Sequence, residues 1–572
     1  MSEYVQKDFS GGMNLLSCDT ELEANQYRLG LNVRNRFGNM EATLSSVEDV
    51  AIPAGVKQES VTFGNYLIVF IAGLAYYRFY LSTGWKNIVG FQMSSTAPRF
   101  WTESVPLSTT NYGRFGVQDT TLGAVSANAG IVFDSVAGAF AGNTPGLVVQ
   151  DNVNQPQFIY IDPILGTPIA RTTQTFAQWD VDYSVTPILD KREYVPIGNA
   201  MAWVDGVLHI ASQDGNFLYR SVSGRPLDFV VNVDDNGDPG GDATTTSYSV
   251  GVGNITALRA AANNSLLVTA SNAVFNVAKN MTPGAVTIFG EYTFIRTFLF
   301  NAVCLSDRCI IDSLGDTRFI SLTGVRSFNS ILQQQNEGRN SLFSAQLQSV
   351  VNGIIQSAET SAAMLFDNYE LYAINTVFGP VIAVFDTLMG CWVSFDIAQT
   401  GGRPIKMFAK IELTIQRLYA ITDDNRLFTL YIGPALDQAV LRPGSMCAAN
   451  VTANGSPIMP EMELKLKDAR IVLDTLTATT SATVTPFVNN RLTQSSIQTK
   501  TIPYSAPTAV YTGVGVLPDT NVKLFNAYFS FPNTEQGWKV YAIITWTGTL
   551  NITQIMFSFV DQKPINPLQS QS

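Results

Sequence analysis

The chain has 572 residues, 46% of them hydrophobic and only 14% charged, with a formal net charge of −11. That is too long for one hydrophobic core and long enough for two or three domains. The acidic balance is the opposite of a Lys/Arg-rich nucleic-acid binder, whose phosphate contacts need cations. Ser, Thr, Asn, Gln and Gly take the place of charge, the mix of all-β virion and extracellular proteins rather than of a cytosolic enzyme.

The cysteines at 18, 304, 309, 391 and 447 are scattered and odd in number. Cys304 and Cys309 have no second pair to complete a zinc site, so all five are expected to be reduced and mostly buried. Met1–Gly12 lacks the apolar core of a secretory signal, and Tyr66–Tyr77 is too short to span a bilayer. Synthesis and assembly in the cytoplasm are expected.

The chain opens with Lys7-Asp8-Phe9-Ser10-Gly11-Gly12-Met13-Asn14-Leu15, then Asn25-Gln26-Tyr27, Leu31-Asn32-Val33-Arg34 and Gly38-Asn39-Met40-Glu41. Gly11-Gly12 permits positive φ and close backbone approach. Residues 1–45 are therefore expected to form an extended segment or docking strand, with Phe9, Gly11, Gly12 and Asn14 as its candidate docking residues. The segment can lie against a neighbouring subunit or close a ring of strands within its own chain.

From about 46 to 435 the chain repeats a strand–turn–strand grammar. Phe63–Ile88 comes first, and Gly146–Asp162 follows a Ser/Thr/Ala/Gly-rich stretch near 94–142 that reads as a loop insertion or long connections. Gly198–Val277 holds two blades. In it, Asp205-Gly206 joins the strands Met201–Trp203 and Val207–Ala211, and Asp214-Gly215-Asn216 leads into Phe217–Ser221. Phe298–Phe328, Ala362–Ile397 and Met407–Ile432 complete an irregular β-propeller of six or seven blades. No residue recurs at a fixed period, so this is not a WD40 or kelch array. One amphipathic helix is expected over Ser341–Ser357, packed inside the chain or at a subunit contact. Residues 436–460 read as a linker, because Pro443–Pro460 is rich in Pro, Gly and Asn. From 461 to 572 an additional β-sandwich-like domain and a short tail are expected. There Met462, Leu464 and Leu466 alternate with Glu463, Lys465 and Lys467, and strands follow at 469–473, 483–488, 522–531, 539–547 and 552–559.

The opening Phe-x-Gly-Gly-x-Asn, with Asn25-Gln26-Tyr27 and Leu31-Asn32-Val33 after it, is similar to the openings of phage tail-tube and nozzle proteins. Where that family often has an Arg-x-Gly step, this chain has Ala42-Thr43-Leu44. The middle carries Phe217-Leu218-Tyr219-Arg220-Ser221, then Pro226-Leu227-Asp228-Phe229, an Asp-rich segment, Ile255–Leu258 and Leu266–Ala270. That order resembles the tail tubular protein B, or nozzle, family of short-tailed bacteriophages. The resemblance implies a propeller closing the far end of the tail tube, in a homo-oligomeric ring of six. It also implies tail tube or adaptor proteins and tail fibres as partners, with phage DNA passing non-specifically during ejection. The expected location is the virion.

Catalysis is tested by elimination. His209 is the sole histidine and sits inside an expected strand, so neither a Ser-His-Asp nor a Cys-His arrangement has its base. Ser212-Gln213-Asp214-Gly215 begins like a sialidase Asp box, but its Gly comes one residue early and no Trp follows; it is a turn. Asp234-Asp235-Asn236-Gly237-Asp238 lacks the Gly and Glu of a calcium loop, having Pro239 and Thr245 there. No phosphate-binding glycine loop is present, and no cofactor or metal is expected. A non-enzymatic structural virion protein is the reading preferred. A receptor-binding or glycan-degrading tail protein is the alternative, since a glycosidase needs only two carboxylates. Asp234, Asp235 and Asp238 are the candidate channel-lining loop, placed either on the ring lumen, where DNA phosphates find no grip, or on the solvated outside.

Overall fold

The computed structural model describes residues 2–107, 144–172, 195–229, 245–247, 254–279, 294–331, 342–447, 464–473, 479–502, 525–532 and 539–561, apart from gaps of one to five residues within them, together with strand pairs at 118–119, 124–125, 181–182, 189–190, 510–511 and 516–517. Almost every element is a strand, in keeping with the all-β expectation. Hairpins form where the turn residues permit them. Asp205-Gly206 has φ of 48° and 80°, and Leu314-Gly315 has 51° and 78°. Both pairs occupy the left-handed region that a two-residue hairpin needs, so Val204 faces Val207 and Ser313 faces Asp316.

Among the described residues these hairpins stack into seven antiparallel sheets, each beginning with its innermost strand. The inner strands are Lys57–Phe63, Trp101–Leu107, Gly198–Val204, Ile255–Ala260, Ile310–Ser313, Ala362–Phe366 and Ile405–Glu412, which define blades 1 to 7. Inner strands touch in sequence from blade 2 to 3, 3 to 4, 5 to 6 and 6 to 7, and blade 7 returns to blade 1. Phe100 N–H donates to Gln58 O (3.3 Å) between blades 1 and 2. Arg259 Nε donates to Asp312 (2.8 Å) between blades 4 and 5. The circle is closed, and the fold is a β-propeller. Facing blade surfaces bury Leu, Ile, Val and Phe side chains such as Phe70, Val148, Leu208 and Leu418.

Blade 7 takes its outer strand from the chain's beginning. Val47 and Glu48 pair with Thr429 and Phe428, and Arg426 grips the Glu48 carboxylate with Nε and Nη2. The next residue, Asp49, accepts hydrogen bonds from Arg78 and from Trp85 Nε1 of blade 1. Ring closure therefore adds this outer-strand pairing and two arginines to the buried residues shared by blades 1 and 7, such as Leu67, Val69 and Ile421.

The second domain is a sandwich of two sheets. One orders Phe525–Ser530, Leu464–Leu473, Asn551–Asp561, Asn39–Ala42 and Val33–Arg36, with Ser2–Gln6 also on Asn551–Asp561. Leu464 and Leu466 are buried and Lys467 is exposed, the alternation read from the sequence. The other sheet is continuous with the propeller. Outer strand Cys391–Asp396 of blade 6 pairs with Leu29–Leu31, then with Ala439–Arg442, Lys539–Thr547 and Thr480–Val488. The described strands at Ser2–Gln6, Val33–Arg36 and Asn39–Ala42 belong to the sandwich, and Leu29–Leu31 joins it to blade 6. Two pieces of the expected linker, Ala439–Arg442 and Met446–Cys447, are strands of this sheet, because alternate residues of the first fill the core. One core runs across the junction, from Trp392 and Phe395 to Trp546 and Phe557.

The helix expected over Ser341–Ser357 is corrected. Only Gln348–Val351 is α-helical, behind a 3-10 turn at Ala345–Leu347. Leu347, Val350 and Val351 are buried, but Gly353 turns to φ 79° and Ile355 is left exposed. The apolar spacing was right for one turn of helix and no more. Loss of the Arg426 clamp is expected to loosen ring closure. Glu48→Ala should cost about 1 kcal/mol in chemical denaturation and bring forward the first proteolytic cut between residues 43 and 56. Unchanged cutting would mean that closure does not depend on this pair.

Candidate functional site

Two constellations gather the polar side chains of the described residues. The first is the seam at the N-terminal segment. Phe9 is fully buried and meets the edge of Tyr27 with ring centroids 6.2 Å apart. Gly11 N–H donates to Asn25 O (3.1 Å), and a Cβ at Gly11 would lie 2.3 Å from the Asn25 side-chain oxygen. Gly12 has φ 72°, and a Cβ there would come within 2.5 Å of Trp392 O and 2.6 Å of Cys391 Sγ. Both glycines sit at close approaches, Gly11 to Asn25 and Gln26 of the same segment and Gly12 to the chain's own blade 6. Asn14 accepts hydrogen bonds from Leu16 N (3.1 Å) and Ser17 N (3.2 Å) through Oδ1, and donates through Nδ2 to Gln26 Oε1 (3.1 Å). The four candidate docking residues are brought together here, within one chain.

Farther along the seam, Arg34 makes a two-pronged pair with Asp396, at 3.1 and 2.6 Å. Its guanidinium also lies 5.2 Å from the Tyr369 ring centroid and 4.8 Å from that of Tyr431. Burial alone would lower the basicity of Arg34; the Asp396 carboxylate and Tyr431 outweigh it and hold the group well above its ordinary value. Tyr431 O–H donates to Asp396 Oδ2 (2.7 Å), and burial followed by that carboxylate raises its phenol. The crossing strands between the domains are stitched by Thr43 Oγ1 to Asp437 Oδ2 (3.3 Å) and Gln399 Nε2 to Asp437 Oδ2 (2.6 Å).

The second constellation fills the propeller axis. Arg308, at the entry to blade 5, donates to Glu59 of blade 1 from Nε (3.0 Å) and Nη2 (2.8 Å), and to Gln58 O (2.5 Å). Arg99, at the entry to blade 2, donates to Asp307 Oδ1 (2.5 Å) and stacks over Trp101. Both contacts join blades on opposite sides of the ring. Beside them a cavity of about 200 Å³ is lined by Arg259, Asp312, Met364, Phe408 and Lys410 of blades 4 to 7. Arg259 and Asp312 keep 44% and 45% of their side chains exposed, so this part of the axis is wet. Across it Glu103 accepts Trp203 N–H (3.0 Å). Burial pushes the Glu103 carboxyl up to about 7, against the pull of Trp203 N–H and of Arg259. Burial, with Arg308 nearby, brings the Lys406 amine down to about 8.

The other residues singled out from the sequence are placed as follows. His209 is buried in the second strand of blade 3, opposite Ala202 and Arg220. Asp214 caps its turn, accepting from the Ser212 hydroxyl and from Asn216 N (3.1 Å), which holds its carboxyl below the usual range. Asp234, Asp235 and Asp238 lie outside the described residues. Cys304, Cys309 and Cys391 are free and buried, and burial pushes the Cys309 thiol up to about 11 and the Cys391 thiol up to about 12. Among the described residues no three His, Cys, Asp or Glu side chains are grouped to hold a metal ion, and no helix is long and apolar enough to cross a membrane.

No protein-family model and no curated protein matches the sequence. Solved structures similar to the chain include a streptogramin B lyase, at 8% identity over 68% of this chain and 96% of that one, with a TM-score of 0.32. They also include virginiamycin B lyase from Staphylococcus aureus (10% identity, 68% and 98% covered, TM-score 0.31). A third is the Cps50 (Swd1) β-propeller domain of Myceliophteria thermophila (10% identity, 67% and 98% covered, TM-score 0.28). The propeller follows from the sheet connectivity, and these distant likenesses add no activity to it.

Glu103 gives the axis a pH signature. A carboxyl raised in the folded chain binds its proton there before the unfolded chain does, so its contribution to stability falls as pH rises from about 4.5 to about 7. Glu103→Gln should remove that fall. Urea midpoints at pH 5 and pH 7.5 should therefore separate less in the variant than in the parent, and equal separations would contradict the assignment.

Proposed function

We propose that this chain is a structural virion protein, a subunit of the nozzle ring that forms the distal DNA-exit channel of a short phage tail. The observation that carries the proposal is the seam. The segment with the nozzle-like opening, Phe9 to Arg34, is the piece that locks propeller and sandwich into one body through Gly12, Tyr27 and Arg34. A wall subunit of a pressurised conduit must carry load from one end to the other without a hinge. Buried, hydrogen-bonded polar contacts and a shared sheet supply that stiffness.

The propeller axis is not the conduit in this reading. Arg308–Glu59 and Arg99–Asp307 cross it, so DNA passes through a channel that several subunits enclose. Identical subunits enclose a channel by heterologous contacts that close, and the nozzle-like motifs favour six. Tail tube or adaptor proteins and tail fibres would flank the ring. A net charge of −11 keeps DNA phosphates from adhering to the subunits as the genome moves. The chain acts without a catalytic centre in this reading, and glycan degradation is the alternative it displaces.

Electron microscopy of the purified full-length protein tests the proposal. Closed rings with six-fold symmetry are expected, and a population that stays monomeric or trimeric at assembly concentrations would overturn it.

A further inference from the structure

We propose that the cleft between blades 2 and 3 binds a neutral saccharide, without cleaving it. Toward the axis these blades meet through Val148, Phe158, Leu208 and Ile210. Farther out they part around an open cleft of about 860 Å³. Its floor is aromatic. Phe217 and Tyr219 are two residues apart on one strand, so both project from the same face. Phe217 keeps 38% of its surface in water, on a regular strand rather than a loop.

The walls are polar and held in place. Gln213 Nε2 donates to Asn152 O (2.8 Å), and Asn152 Nδ2 returns a bond to Gln213 O (3.3 Å), which fixes the rim between the two blades. Asp214 is pinned by Ser212 and Asn216. Gln155 lines the cleft, and among the described residues its amide oxygen accepts no hydrogen bond, nor does that of Asn152 at the rim. An acceptor without a donor is costly, and a ligand hydroxyl relieves it once the Gln155 side chain turns its oxygen into the cleft. Bound water could serve the two oxygens in the same way, but it gives no account of the exposed Phe217 beside them.

A pyranose ring matches this set. Its C–H face carries partial positive charge and suits the electron-rich faces of Phe217 and Tyr219, while its hydroxyls both donate and accept toward Gln155, Gln213 and Asp214. The described lining holds no lysine or arginine and one carboxylate, so phosphate, sulfate and carboxylate-bearing ligands are disfavoured. Glycoside hydrolysis needs two carboxylates flanking the bond, and the described lining offers one. The inference does not depend on the nozzle reading, since it follows from the cleft alone.

The experiment is binding of the full-length protein to an immobilised set of neutral oligosaccharides built from glucose, galactose, mannose and N-acetylhexosamines, beside their sialylated and sulfated counterparts. Purified neutral O-antigen polysaccharide forms a further arm, to separate a free sugar from a surface polymer as the source. At least one neutral glycan should be retained. Phe217→Ala and Gln155→Leu should each weaken that binding tenfold or more, while Leu388→Ala, an exposed change on blade 6, should leave it unaltered. Thermal melting checks that each variant is folded, and Gln213→Ala replaces any that is not. Retention of no neutral glycan, preference for the charged counterparts, or binding that survives both cleft substitutions would each overturn the proposal.

Discussion

Leu29–Leu31 is the constraint on which the molecule's continuity depends. These residues lie parallel to the outer strand of blade 6 on one side and antiparallel to Ala439–Arg442 on the other. Without them the propeller and the sandwich would be two bodies joined by two crossing strands. The parallel side is slight as a ladder, with Phe395 opposite Leu31, and side chains reinforce it. Tyr27 O–H reaches Val393 O (2.7 Å), Ser394 Oγ takes Val33 N–H (3.1 Å), and Asn32 Oδ1 takes Ile397 N–H (3.1 Å). Gly12 lets the preceding strand press against Trp392, and Arg34–Asp396 seals the edge. Removing either partner of that buried pair would strand a charge away from water, a penalty of about 3–5 kcal/mol.

The axis shows the same principle in a second place. Charged side chains from blades 1, 2 and 5 meet in pairs across the ring, so the centre is filled by interlocked ions rather than by an open pore. Arg318 and Glu370 (2.5 Å) tie blades 5 and 6 in the same manner, with Tyr372 O–H on the second carboxylate oxygen (2.7 Å). Such pairs stabilise little in themselves, but they specify which blades meet, across the axis for Arg308–Glu59 and Arg99–Asp307 and side by side for Arg318–Glu370. In a propeller whose blades share no sequence signature, that specification has to come from individual side chains.

What could be read from the sequence was local. Asp205-Gly206 and Asp214-Gly215-Asn216 mark turns because two or three adjacent residues decide the backbone there, and the blades around them were legible for that reason. The alternation from Leu464 was legible for the same reason. Gly11-Gly12 announced a close approach, but nothing nearby said that Gly12 would meet Trp392. Glu59 and Arg308 stand 249 positions apart, and neither has a neighbour that marks it. The helix over Ser341–Ser357 was over-read because apolar spacing cannot see Gly353 leave the helical region. Ala439–Arg442 was passed over because Pro- and Gly-rich sequence soon after it masked a short alternating strand.

The central claim is that one sheet makes propeller and sandwich a single mechanical body. Hydrogen exchange of the full-length protein tests it most directly, because amides of one cooperative unit open together. The amides of Gly30, Leu31 and Asn32 are predicted to exchange as slowly as those of Leu441 and Ile544 in the sandwich and of Val384 in blade 6, all by one common opening. Rapid exchange at residues 29–32, or separate openings for blade 6 and for Lys539–Thr547, would contradict it.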